Sequence, residues 1–242
     1  MPDLPTCCVA RFHESFEHLT KFLRDWTEEI DQQAKQDNPR KASYYIWARW
    51  SLLIRTFHRI CDPTYIPDIY LIARSCFECE ASLKAIKETP RLADEYLAFP
   101  DKAKAYYAWV CKKLGLKEKL AKFEPELKQR FGDNWEKEKA TQWCSNTSEM
   151  VETYCGPAVR LLYASCSHFV HGTAVVAHYL ENISPTENDL NKAIEAIYTG
   201  YLLSTADFLK IAWGPIVQEK STQCQNAFSD ILASWASVPS GA

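Results

Sequence analysis

The chain has 242 residues, of which 47% are hydrophobic, 13% aromatic and 24% charged, with only seven glycines. That composition excludes a disordered chain and, through the shortage of turn residues, a sandwich or barrel, leaving a helical core within the size range of one domain. A net charge of −3 and an isoelectric point near 6.1 exclude a general pull on nucleic acid, so any phosphate site must be local.

In chain order, Phe12, Phe16, Leu19, Leu23, Trp26 and Ile30 recur at spacings of three and four, which predicts an amphipathic helix over 9–36 that stops at Asp37, Asn38 and Pro39. A second helix is expected from about Lys41 to Ile60, with Arg49, Arg55 and Arg59 as a basic side interleaved with Trp47, Trp50 and Phe57. That side is a candidate nucleic-acid contact, although a solvated helix face is the commoner reading of such a pattern. The third helix, from Ile66 to about Lys87, is nearly apolar except for Arg74, Glu78 and Glu80, charges that need partners in such a setting. Thr89 and Pro90 should open a short helix to Phe99, and Asp101 should cap another that ends at Gly115. Between Lys117 and Lys139 charges dominate, and Pro125 and Gly132 suggest a solvated pair of short helices. Ser148 or Thr147 can cap the next short helix. Gly156 and Pro157 can start a helix running to about Leu180, Ser184 and Pro185 precede one over Thr186–Ala212, and Gly214 and Pro215 separate a last one that reaches Trp235.

The stretch from Leu161 to Leu180 contains no Asp, Glu, Lys or Arg and is about as long as a membrane span. It also carries His168, His171, His178 and Gly172, so a buried central helix is expected and no membrane segment. Ten cysteines without a hydrophobic leader within Met1 to Arg11 point to free thiols in a reducing cytoplasm. The expected architecture is an all-α bundle of about seven to nine helices forming one domain over 1–242, its core near 9–88 and 143–237 and a charged peripheral lobe near 89–142.

Tyr163, Ser167 and His171 are spaced i, i+4, i+8, one polar line on a helix face, and Arg74 and Glu78 are likewise i and i+4. If the two helices meet along these lines they enclose an acid, a base, hydroxyls and a fixed positive charge. In a catalytic site His171 would be the general acid or base, Arg74 would neutralise an oxyanion or phosphate, Glu78 would orient Arg74, and Tyr163 and Ser167 would position the substrate. The same network could instead hold two helices in register. Cys76 and Cys79 (C-x-x-C) with His168 and His171 (H-x-x-H) offer four zinc-ligand types, but inside helices they read better as core residues; no metal or other cofactor is expected.

The runs Arg74-Ser75-Cys76-Phe77-Glu78, Arg91-Leu92-Ala93-Asp94-Glu95-Tyr96-Leu97 after Pro90, Trp143 with Ser148-Glu149-Met150, and Tyr163-Ala164-Ser165-Cys166-Ser167-His168-Phe169-Val170-His171-Gly172 resemble a widespread prokaryotic family of all-helical domains, domain-of-unknown-function family 5677, over about residues 45–210. The resemblance implies the helical fold and the placing of these Arg, Glu, Tyr, Ser and His positions in its helices. That build is similar in turn to HEPN domains, many of which are metal-independent ribonucleases of toxin and antiviral defence systems working as homodimers. By that likeness the expectations are RNA cleavage, a homodimer and a protein partner encoded nearby. The HEPN pattern of Arg, four to six residues, then His is missing around His171, where the upstream arginine is Arg160, while Arg11 and His18 have the spacing on the first helix. The alternative is a non-catalytic module that binds a partner protein or small ligand.

Overall fold

A computed structural model describes residues 4–144, 146–171, 186–213 and 218–236. Among them nine α-helices and two short 3-10 turns account for the regular structure, and there is no strand. The helices are α1 (Leu4–Ala34), α2 (Asn38–Arg59), α3 (Ile66–Glu88), α4 (Leu92–Lys113), α5 (Lys117–Phe131), α6 (Thr147–Cys155), α7 (Pro157–Val170), α8 (Glu187–Ala212) and α9 (Gln218–Ala236). Gly172, His178, Ser184, Pro185, Gly214 and Pro215, and with them the far half of the uncharged stretch, lie outside the described residues.

The all-α expectation holds, and α3 is the hub: α2, α6, α7 and α8 all pack on it, while α1 closes the other side of α8 together with α9. The residues that end α1 also begin α2. Asp37 accepts a hydrogen bond from Arg40 N at 2.8 Å, and Pro39 occupies the first turn, where its missing N–H costs nothing. Aromatic side chains fill the α2–α8 interface. Trp47 lies over Phe208 with ring centroids 5.0 Å apart, and Trp50 meets Tyr201 edge-on at 5.6 Å. The polar tips of Trp47 and Tyr201 are satisfied inside: Trp47 Nε1 donates to Thr205 Oγ1 at 3.2 Å, and Ser51 Oγ and the Tyr201 hydroxyl are 2.8 Å apart. Gly200 brings α8 close to α3, for a Cβ there would stand 3.3 Å from Glu80 Oε2.

Three local expectations are corrected. Pro100 does not divide the segment after Thr89 into two helices; α4 runs through it unbroken, and Asp101 pairs with Arg130 at 3.1 Å instead of capping. The helix survives the lost backbone bond, a cost of about 3 kcal/mol, because it is anchored at both ends, Ala93 in the main core and Ala105 and Ala108 in a second one. Pro125 likewise sits inside one helix, α5, which is followed by a 3-10 turn at Trp135–Glu138. The cap of α6 is Asn146, accepting from Ser148 N at 3.0 Å and Glu149 N at 3.3 Å, one residue ahead of Thr147.

Helix α7 is not central. Leu161 is 70% exposed, Leu162 46% and Val170 40%, and only Tyr163 and Cys166 are buried, against α3. Lack of charge here reflects small outward residues such as Ala164 and Ser165 rather than enclosure. No helix among the described residues is long and apolar enough to cross a membrane. The α4–α5 lobe has its own small core of Ala105, Ala108, Leu127 and Trp135.

Candidate functional site

Helices α3 and α7 run antiparallel: the Tyr70 and Phe169 rings are 4.6 Å apart near one end, and Glu78 meets Tyr163 at the middle of both helices. The i, i+4 spacing of Arg74 and Glu78 puts them on one face of α3, with Nε 3.4 Å from Oε1. The Tyr163 hydroxyl donates to Glu78 Oε1 at 3.1 Å and accepts from Arg74 at 3.4 Å, and the Arg74 guanidinium lies 5.5 Å from the Tyr163 ring centroid. Burial raises the Tyr163 phenol above its ordinary value, the Arg74 donor opposes the rise, and the Glu78 carboxylate adds to it. Three of the five expected catalytic residues therefore meet.

The other two do not join them. Ser167 spends its hydroxyl on the Tyr163 carbonyl at 2.8 Å. His171 caps the end of α7, exposed, about 12 Å along the axis from Tyr163 at 1.5 Å per residue. With Phe169 opposite Tyr70, His171 is level with the first turn of α3 and a full turn or more beyond Arg74. Arg11 is engaged elsewhere, pairing with Glu195 and stacking over the Trp235 ring, while His18 is exposed on α1.

What the cluster does face is a cavity of about 320 Å³ bounded by α2, α3, α4, α6 and the segment at 141–143. Arg74 and Glu78 form one wall with Cys79 and Ser82, and Arg49 reaches in from α2, its Nη2 4.0 Å from Glu78 Oε2. Tyr96, Phe99 and Trp143 supply the opposite, aromatic wall, with Tyr96 and Trp143 edge-on at 5.4 Å. The basic side expected on α2 is thereby split. Arg49 lines the cavity, whereas Arg55 and Arg59 are exposed about 80–120° further round the helix at 3.6 residues per turn. The aromatic wall was missed as a site in the sequence, although Tyr96 and Trp143 stand within the runs that carry the family resemblance.

Charge in the cavity is unbalanced: two guanidiniums face one carboxylate, and that carboxylate is also held by the Tyr163 hydroxyl. Burial pushes both the Cys79 thiol and the Tyr96 phenol on the wall up to about 12. Cys76, the other half of C-x-x-C, is fully buried beside Trp50 and is raised as well. Among the described residues no group of three or more His, Cys, Asp or Glu is arranged to hold a metal. His168 and His171 are exposed at the end of α7, away from both thiols.

These shifts set an alkaline limit on stability. A folded pKa above the unfolded one, 9.0 for a thiol and 10.0 for a phenol, gives stability that is complete below the unfolded value and is lost as pH rises through the folded value. With Cys76, Cys79 and Tyr201 all raised by burial, urea unfolding midpoints should be level between neutrality and the ordinary thiol value of 9.0 and fall above it. The slope approaches about 1.4 kcal/mol per pH unit for each group in play. A midpoint that stays level up to the phenol's shifted value of about 12 contradicts this burial.

A family model described as a family of unknown function, DUF5677, matches residues 40–189. That is more than half of the chain. The chain belongs to the DUF5677 family. The DUF5677 match begins in the first turn of α2 and ends in the first turn of α8, so it contains every residue that lines the cavity. Helix α1, most of α8 and α9 fall outside it. No curated protein and no solved structure matches the chain.

Proposed function

We propose that this DUF5677 chain is a binding module whose cavity takes a small organic anion with a flat ring, of which a nucleoside monophosphate is the first probe. The observation that carries the reading is the pairing of two guanidiniums, Arg49 and Arg74, with the single carboxylate of Glu78 on the wall of a cavity of about 320 Å³. A cavity of that size lies within the range of about 300–1,000 Å³ common for ligand sites. Its surplus positive charge calls for an anion, and a guanidinium presents paired donors to phosphate or carboxylate. Arg49, its side chain 55% exposed, stands at the mouth, while Arg74, 23% exposed and held by Glu78 and Tyr163, is fixed inside. Tyr96, Phe99 and Trp143 offer ring faces and edges for the planar part of the ligand.

The test is calorimetry and thermal shift with AMP, GMP, UMP, inorganic phosphate and benzoate. At least one ring-bearing anion should bind. At a concentration near 100 times its Kd it stabilises the fold by about 2.7 kcal/mol, with phosphate alone weaker. Arg74→Ala should abolish the effect and His171→Ala should leave it unchanged. Failure of every ring-bearing anion, or undiminished binding in Arg74→Ala, overturns the reading. So does metal-independent RNA cleavage, measured in EDTA, that disappears in His171→Ala, since a ribonuclease built on Arg74 and His171 requires the end of α7 to swing toward the cavity.

A further inference from the structure

The lobe is basic in a chain that is acidic overall. Residues 101–140 hold eleven Lys and Arg against seven Asp and Glu, whereas the whole chain carries 28 against 31. Four of the seven carboxylates are taken by partners within the lobe: Glu126 by Lys104, Glu136 by Lys112, Glu124 by Lys128 and Asp101 by Arg130. Seven lysines and three carboxylates remain outside those pairs.

Several of these lysines are grouped around aromatic rings. Lys102, Tyr106, Trp109 and Lys113 follow one another at spacings of four, three and four on α4, which aligns them in one stripe beside the lobe core at Ala105 and Ala108, with Trp109 packed partly against that core and Tyr106 exposed. The Tyr106 and Trp109 rings are 5.8 Å apart and tilted by 31°. Two ammonium groups flank Trp109, Lys113 Nζ at 5.8 Å and Lys139 Nζ at 5.2 Å from its centroid, the second arriving from the segment at 139–144. A hydrogen bond from Ala140 N to the Lys102 carbonyl, 3.2 Å, holds that segment along the stripe. At the Tyr106 edge of the stripe lies an open trough of about 510 Å³, walled by Tyr106, Lys139, Thr141, Gln142 and Trp143. The last three also line the cavity beside Arg74 and Glu78, so the trough adjoins it.

We propose that this trough docks single-stranded nucleic acid, with bases stacking on Tyr106 and Trp109 and phosphates facing Lys102, Lys113 and Lys139. Aromatic platforms beside a track of positive charge recognise every base through its ring face and the strand through its phosphates. A duplex hides its ring faces, and an acidic peptide uses the lysines but not the rings. The inference does not rest on the cavity's ligand, because no residue of the stripe lines the cavity.

The experiment is fluorescence anisotropy of labelled oligo(U) and oligo(dT), each roughly 12 nucleotides long, with the folded state of every variant checked by circular dichroism. Binding is expected for both, and the affinity should fall with salt on a log–log slope of about −2 for three phosphate contacts. Tyr106→Ala, at an exposed position, should weaken binding about tenfold, the loss of one stacked base. Lys113→Glu with Lys139→Glu should weaken it further and flatten the salt slope. Lys119→Glu with Lys122→Glu on α5, the same change in net charge away from the stripe, should stay within about twofold of the parent, a change worth less than half a kcal/mol. No binding by the parent, equal losses in the two charge-reversal pairs, an undiminished Tyr106→Ala, or equal affinity for a polyglutamate peptide each overturn the proposal. Arg74→Ala separates it from the cavity reading: it should lose the small anion and keep the oligonucleotide.

Discussion

Replacing Glu78 with glutamine is expected to tighten the binding of a ring-bearing anion such as AMP by about tenfold, or 1.4 kcal/mol, while the fold persists. Glu78 is the one carboxylate among the cavity-lining residues, and it engages Arg74 at 3.4 Å and Arg49 at 4.0 Å. A second negative charge about 4 Å from it meets a repulsion near 4 kcal/mol at the effective dielectric of a protein surface. The exposure of Arg49 and entering water screen part of that, which leaves the smaller figure. Glutamine keeps the shape and still offers Tyr163 an oxygen to donate to, so the stability lost is that of a partly exposed ion pair, about 1 kcal/mol or less. Calorimetric titration of both proteins decides the matter. If the cluster serves only to hold α3 against α7, Glu78→Gln lowers the unfolding midpoint and leaves affinity for the anion where it was, or absent.

Trp47→Ala should produce the largest loss of stability, about 3–5 kcal/mol, as for other large aromatic truncations in a core. For a chain of this length that corresponds to a fall in melting temperature of roughly 6–20 °C. Trp47 is 1% exposed, stacks on Phe208 and donates to Thr205, so the substitution empties the α2–α8 interface and strands a buried hydroxyl. Trp47→Phe, which keeps most of the volume and loses the donor, should cost clearly less. Urea unfolding of the two variants gives the comparison, and a Trp47→Ala loss below about 1 kcal/mol, typical of surface changes, is incompatible with the packing described.

The helical register was legible in the sequence wherever apolar spacing was strong: Phe12 to Ile30 on α1 and the bounds of α2, α3 and α8 fall within a few residues of expectation. Prolines mislead. Pro125 reads as a break, and the step from Phe99 to Asp101 falls across Pro100, because local rules see the missing N–H but not the packing that carries α4 and α5 through it. The Arg74–Glu78–Tyr163 contact was accessible from i, i+4 spacing on two helices thought to meet. Periodicity placed Ser167 and His171 on the same line of α7, but it contains nothing about where a partner helix ends, and the antiparallel register with α3 brings only Tyr163 to the charged pair. Arg49 was grouped with Arg55 and Arg59 by charge alone. The cavity could not be read at all, since its aromatic wall comes from α4 and a loop more than forty residues from Arg49 in the chain.

The lobe's interior consists of two alanines, a leucine and a tryptophan, joined to the rest of the bundle chiefly through one continuous helix. So small a cluster holds its segment together less firmly than the layers around Trp47 and Tyr201, and amide protons of α5 should exchange with solvent before those of α3 or α8. Because Tyr96 and Phe99 belong to the same rod as Ala105 and Ala108, such an excursion loosens the aromatic side of the chamber while leaving the arginine side standing. A molecule held inside could then depart by way of a partial melting event, with a residence time governed by how often that small outer segment lets go.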